Sequence, residues 1–218
     1  VELFEVDSLG TKERDGAAIV FRDLGNREII DVYAEMRRFT DGRDEQTPDE
    51  IWLVEHPPVF TMGLNADKQH VLDPGNIPVV DTDRGGQVTY HGPGQIVAYV
   101  LLDLKRRGWS VRRLVDELEA AIIDTIARYG IVARGSRDAR GVYVRDTKIA
   151  ALGLRVRRQC TYHGVALNVA MDLEPFDRIN PCGYSGLAVT QLSALSESAT
   201  IDDVKEKLRE ALIAHLAC

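Results

Sequence analysis

The residue types best able to do covalent chemistry in this 218-residue chain are its three cysteines, Cys160, Cys182 and Cys218. They form no C-x-x-C pair, and an odd, sparse set points to reduced thiols rather than a disulfide framework. Cys182 stands outside the apolar runs, in Asn180-Pro181-Cys182-Gly183-Tyr184-Ser185-Gly186. Proline fixes the approach of the chain, and glycine leaves room for a substrate close to the backbone. Cys182 is therefore a candidate nucleophile. Most free cysteines are inert core filler, however, and the loop by itself leaves both readings open.

A second unusual stretch runs Arg84-Gly85-Gly86-Gln87-Val88-Thr89-Tyr90-His91-Gly92-Pro93-Gly94-Gln95. Its glycines allow close approach, while Arg84 and His91 supply donors or charge. It lacks the G-x-x-x-x-G-K-[ST] spacing of a phosphate loop. Ligand site and wide polar hairpin stand as equal readings. Lys148 opens a strand-like run, Lys148 to Arg157, in which Leu154, Arg155, Val156 and Arg157 alternate apolar and basic. Within it Ala151-Leu152-Gly153 is slim enough for a ligand to lie on the sheet. A lysine at a strand start is ordinarily solvated. Cys160 and His163 have Cys-x-x-His spacing, but nothing completes a metal set, so no metal site is expected. His56, His70 and His215 stand in no informative spacing. Arg134, Arg137 and Arg140, with Arg155, Arg157 and Arg158, read as a solvated face or as a dock for an acidic carrier domain.

These residues need elements to position them. Ala17 to Phe21 reads as a strand, and Glu28 to Phe39 as a helix with Ile29, Val32, Tyr33 and Met36 on one face, ended by Thr40-Asp41-Gly42. Ile51 to Val54 is a short buried strand, and Asp67 to Asn76 a polar loop. Gln87 to Tyr90 and Gln95 to Leu102 read as strands around a His91-Gly92-Pro93-Gly94 turn. Ser110 caps a helix whose face is Val111, Leu114, Val115, Leu118, Ile122, Ile126 and Tyr129, ended by Gly130. A meander follows: Val142 to Arg145, an Asp146-Thr147 turn, Lys148 to Val156, and Tyr162 to Val169. A last helix starts at Thr200. This mixing predicts an α/β (α+β) domain with a mixed sheet backed by helices, and the absence of linkers predicts one domain over residues 1–218.

Composition narrows the function. Hydrophobic residues make up 44%, enough for a sizeable core. The formal net charge of −7 argues against a general nucleic-acid binder. No window approaches the roughly 20 apolar residues of a membrane span, and Val1 to Glu5 shows neither the basic flank nor the apolar core of a signal peptide. A cytoplasmic protein is expected.

Taken in order, the motifs resemble the octanoyl-[acyl-carrier-protein]:protein N-octanoyltransferases of lipoate biosynthesis. That family's signature is matched by Arg84-Gly85-Gly86, Thr89-Tyr90-His91, Gln95 and Tyr99. Its lysine and slim strand are matched by Lys148 and Ala151-Leu152-Gly153, its His-Gly segment by His163 to Asn168, and its Pro-Cys-Gly by Pro181-Cys182-Gly183. Ala98 and Val100 depart from the Gly and Pro that many members carry. The resemblance implies the fold of biotin and lipoate protein ligase catalytic domains. It implies that Cys182 takes an octanoyl chain as a thioester and that Lys148 lowers the thiol's pKa. Substrate binding carries over to Arg84, Gly85, Gly86, Gln87, Val88, Thr89, Tyr90 and His91, to Ala151, Leu152 and Gly153, and to Gly164, Val165 and Ala166. The implied donor is octanoylated acyl carrier protein with its phosphopantetheine, no other cofactor being needed. The implied acceptors are lipoyl domains of 2-oxoacid dehydrogenase complexes and the glycine cleavage H protein, and the enzyme would be a monomer. The nearest rival is an ATP-dependent lipoate–protein ligase on the same fold. Others are a non-catalytic carrier-binding module and a hydrolase using Cys182 and His163.

Overall fold

The computed structural model describes residues 19–136, 139–181 and 186–217. In chain order the elements are β1 (Ile19–Asn26), α1 (Ile29–Asp41), β2 (Asp49–Glu55), β3 (Val59–Met62), β4 (Val79–Asp81), β5 (Thr89–His91) and β6 (Gln95–Leu101). There follow α2 (Leu104–Arg107), α3 (Val111–Ala127), β7 (Arg134–Gly135), β8 (Gly141–Val144), β9 (Thr147–Arg157), β10 (Cys160–Asn168) and α4 (Ile201–Leu216). A seven-stranded sheet runs β1-β2-β6-β10-β9-β8-β7, and a three-stranded sheet runs β4-β3-β5. Both are mixed: β1 pairs parallel with β2, and β3 with β4, while the other pairings are antiparallel.

The large sheet is covered on both faces, which is why β6 is buried along its whole length. Ile96, Ala98 and Val100 pack with Leu114, Leu118 and Ile122 of α3 and Val204, Leu208 and Leu212 of α4. Val97, Tyr99 and Leu101 point the other way, toward Val32 and Met36 of α1. The small sheet has its own core of Phe60, Met62, Val88, Tyr90 and Phe176. The N-caps follow the sequence: the side chains of Ser110 and Thr200 accept from the backbone N–H of Arg113 and Asp203.

One ionic hub joins these layers. Asp49, fully buried at the start of β2, accepts from Arg43 and Arg106 (2.6 Å each), from Arg107, and from the Asp103 N–H at 2.9 Å.

Three expectations are corrected. Thr89–His91 and Gln95–Leu101 do not form one hairpin, because β5 pairs with β3 in the small sheet and β6 with β2 and β10 in the large one. The glycine-rich turn between them carries the chain from one sheet to the other. The β8–β9 turn is Arg145-Asp146, with Arg145 at φ 54°, one residue earlier than expected. Strands β3, β4 and β7 and helix α2, unanticipated in sequence, are all four residues or shorter.

Candidate functional site

The register of the large sheet builds a trough. Residues opposite one another share a face, so Gly153, Gly164 and Tyr99 form one row across β9, β10 and β6. Ala151, Ala166 and Val97 form the next. Two glycines and two alanines thus floor a depression that ends at larger side chains on β6. Glycine is required at 164, where a Cβ would stand 1.9 Å from the Ala98 carbonyl oxygen.

The segment from Arg84 to His91 roofs this floor. The Gly85 N–H donates to the Leu154 carbonyl at 3.0 Å, and a Cβ on Gly153 would lie 2.8 Å from the Gly85 oxygen. Floor and roof enclose about 570 Å³, including the open mouth. Arg84, Gly86, Gln87, Val88, Thr89 and His91 line the space from above, and Ala151, Leu152, Gly153, Gly164, Val165 and Ala166 from below. Of the residues expected to bind substrate, Gly85 and Tyr90 are absent from the lining. Tyr90 points into the small-sheet core against Phe60 and Phe176.

Arg84, expected to present its charge, folds back on its own support. Nη2 donates to the Thr61 carbonyl at 2.6 Å and to Thr61 Oγ1 at 2.9 Å, and Nη1 donates to the Gly85 carbonyl at 2.9 Å. Its evident work is holding the roof to β3.

Buried polar rings surround the space, each with an assigned partner. His91 Nδ1–H donates to Gln95 Oε1 at 2.6 Å, because the Gln95 amide nitrogen is committed to Asn168 Oδ1 at 2.9 Å. Asn168 Nδ2 in turn donates to the Thr190 carbonyl at 3.0 Å. His56 Nδ1–H donates to the Arg27 carbonyl at 2.6 Å, so Nε2 accepts from the Tyr99 hydroxyl at 2.7 Å. Burial pushes His56 down to about 4 and His91 to about 3, so both are neutral at pH 7. Burial pushes the Tyr99 phenol up.

His163 Nε2–H donates to Asp83 at 2.9 Å, and the Tyr162 hydroxyl donates to the same carboxylate. Adjacent strand residues ordinarily face opposite ways. His163 escapes that rule through φ 60°, a backbone state costing on the order of 1–3 kcal/mol for a non-glycine residue. Burial acts to raise the Asp83 pKa, but the hydrogen bonds from His163, Tyr162 and Tyr33 outweigh it and hold the carboxyl well below its usual range.

Lys148 is buried, contrary to the solvated lysine its position suggested. Its Nζ donates to the Arg140 carbonyl at 3.1 Å and lies 5.2 Å from the Tyr143 ring centroid. A Cβ on Gly141 would stand 2.6 Å from the Ala150 oxygen and 3.1 Å from Lys148 Cε, and Gly141 is the register partner of the cavity-lining Ala151. Glu119 of α3 steadies this seat by accepting from the Gly141 N–H at 3.1 Å. The Lys148 backbone is bound on its other side too, donating to Ala188 O and accepting from Thr190 N–H, each at 2.9 Å. Cys182 and Gly183 lie outside the described residues, as does Cys218; Cys160 is buried, a filler cysteine.

Among the described residues the arginines fall into two groups, with Arg134, Arg157 and Arg158 exposed as a solvated face requires. Arg134 pairs with Asp146, Arg140 with Asp116 and Glu119, and Arg157 and Arg158 with Asp41. Arg155 to Arg158 lie seven to ten residues beyond Lys148, roughly 20–30 Å along β9 and its turn. Arg137 lies outside the described residues. Among the described residues no group of His, Cys, Asp or Glu could hold a metal ion, and no helix is long and apolar enough to cross a membrane.

Sequence signals existed for some of what was missed. Asp83 directly precedes the glycine-rich motif, and His56 directly precedes Pro57-Pro58, but only tertiary structure brings them to His163 and Tyr99.

This architecture is that of the catalytic domains of lipoate and biotin protein ligases. A putative lipoate protein ligase from T. acidophilum, Ta0514, superposes with a TM-score of 0.74 at 14% identity, covering 90% of this chain and 85% of that one. Lipoate-protein ligase A bound with ATP gives 0.71 at 14% identity, over 92% and 85%. At that identity the likeness is one of fold. In sequence, residues 32–213 match the lipoyl protein ligase A/B catalytic domain. An octanoyltransferase of Pseudomonas savastanoi pv. phaseolicola (strain 1448A / Race 6) is 56% identical over 199 residues, 91% of each chain. The chain belongs to the lipoyl protein ligase A/B catalytic domain family, and it is an acyltransferase.

Proposed function

We propose that this enzyme moves an octanoyl group from acyl carrier protein to a lysine of a lipoyl domain, through a thioester on Cys182 assisted by Lys148. The observation that carries the reading is a slim-floored cavity beside a buried lysine, in a chain 56% identical to an octanoyltransferase. A further support is that the chain returns to the Lys148 backbone at Ala188, six residues after Cys182.

The chemistry balances without ATP or a metal. The Cys182 thiolate attacks the carbonyl of the pantetheine thioester; the new C–S bond forms, the old one breaks, and the departing thiolate takes a proton from the Lys148 ammonium. The neutral amine of the acceptor lysine then attacks, an amide forms, Cys182 leaves as thiolate, and the amine's proton returns to Lys148. A free thiol near pKa ~8.5 is only a few per cent ionised at pH 7, so a neighbouring ammonium raises the reactive fraction. The acceptors fitting this chemistry are lipoyl domains of 2-oxoacid dehydrogenases and the glycine cleavage H protein, served by a cytoplasmic monomer.

Incubation with octanoyl-acyl carrier protein and no ATP, followed by intact-mass measurement, tests the reading. One added octanoyl group is expected on the wild type and none as a thioester on Cys182→Ser. Lys148→Arg keeps charge but loses proton traffic and is expected to turn over poorly. Acylation of a lipoyl domain that requires ATP and free acid would instead establish the ligase reading, which the fold shared with lipoate-protein ligase A makes the natural alternative.

A further inference from the structure

A trough that holds an alkyl chain needs an end, and the register identifies one. The lining begins at Ala151 and Gly153 on β9, next to Gly141 and the Lys148 side chain on the β8 side, and crosses to Ala166 and Gly164 on β10. On β6, the next strand, the glycine row meets the Tyr99 ring. Three strand spacings of about 4.8 Å across the sheet and two residues of about 3.3 Å along it separate Gly141 from Tyr99, roughly 16 Å between backbones, and the side chains at the two ends shorten the free length. Eight carbons in zigzag, joined by bonds of about 1.5 Å, advance roughly 9 Å.

The Tyr99 ring is unusually hard to displace. It is 4% exposed, and its hydroxyl is tied to His56, itself fully buried and tied to the Arg27 carbonyl. His163 packs edge-on against the ring at 6.1 Å between centroids, and His56 against His91 at 5.9 Å. A longer chain pushing on this ring must break the Tyr99–His56 hydrogen bond and strand two buried polar groups. That penalty arrives all at once, whereas apolar packing alone yields only a gradual preference.

Resting on the octanoyl-transfer reading above, we infer that Tyr99, braced by His56, is the stop that sets the acyl chain length this enzyme accepts. Val97, in the neighbouring row, carries no comparable tether.

The test supplies equal concentrations of C6, C8, C10 and C12 acyl-pantetheine thioesters and reads the ratios of acyl groups transferred by mass spectrometry. Ratios within one sample do not depend on the fraction of enzyme folded. Burial of each methylene is worth roughly fourfold in binding and C10 carries two more than C8, so Tyr99→Ala is expected to raise the C10:C8 ratio by about fifteenfold. Tyr99→Leu, which preserves more core volume, is expected to move it the same way should the alanine variant fail to fold. Tyr99→Phe keeps the ring but frees it, and a smaller rise is expected. Wild-type discrimination that survives unchanged in the alanine or leucine variant overturns the inference. Wild-type transfer with no length preference also overturns it while leaving octanoyl transfer standing, and no transfer from any donor defeats the functional reading itself.

Discussion

Substituting Gly153 by alanine tests the trough most directly, because its effect can be worked out atom by atom. The added Cβ would stand 2.8 Å from the Gly85 oxygen and 3.3 Å from Arg84 Cδ. Relief to an ordinary contact of roughly 3.5 Å requires the roof to rise by about 0.7 Å. The Gly85 N–H···O Leu154 bond, now 3.0 Å, would stretch past hydrogen-bonding range. Losing it costs about 1 kcal/mol and the crowding on the order of 1–3 kcal/mol, while the stiffer unfolded chain of alanine returns about 0.4–1 kcal/mol, so a net loss near 2 kcal/mol is expected. For a chain of this size that lowers Tm by about 4–8 °C. The methyl also enters the slot, so octanoyl turnover should fall more than hexanoyl turnover. Thermal unfolding and paired-donor assays read both effects. An unchanged Tm together with an unchanged octanoyl-to-hexanoyl ratio would refute the contact between roof and floor.

Asp49→Ala leaves Arg43 and Arg107 buried without their carboxylate, and a loss of about 3–5 kcal/mol is expected in urea titrations. A small loss would show the hub to be dispensable. His56 is depressed to about 4 from an ordinary 6.5, so its contribution is complete above pH 6.5 and lost as pH falls through 4. That amounts to about 3 kcal/mol, and the fall in stability across this window should flatten in His56→Gln. Asn168→Ala cuts the link from His91 through Gln95 to Thr190; we expect kcat to fall well before KM rises, whereas a proportional change in both would argue for simple loss of substrate binding.

Sequence reading succeeded where a single element carries the signal. The α3 face with its cap, the start of the last helix at Thr200 and the slim Ala151-Leu152-Gly153 strand all rest on local periodicity or side-chain size. It failed where partners are distant: His56 and Tyr99 are 43 residues apart, and His163 and Asp83 are 80 apart. The ion pairs of the arginines were invisible for the same reason, since clustering along the chain says nothing about the carboxylates of α1, α3 and the β8–β9 turn that meet them. The buried Lys148 defied its strand-start position because Gly141 and Glu119, from other elements, build its seat.

The segment around Cys182 is fastened on both sides. Upstream, the Asn180 N–H donates to the His70 carbonyl at 2.8 Å; downstream, Ala188 and Thr190 clasp the main chain of Lys148. Both fastenings use backbone atoms alone. The residues between them can therefore be exchanged without rewriting either anchorage. A scaffold arranged this way can take new residues between its two anchorages by altering a handful of codons, while the sheet, roof and lysine seat stay as they are.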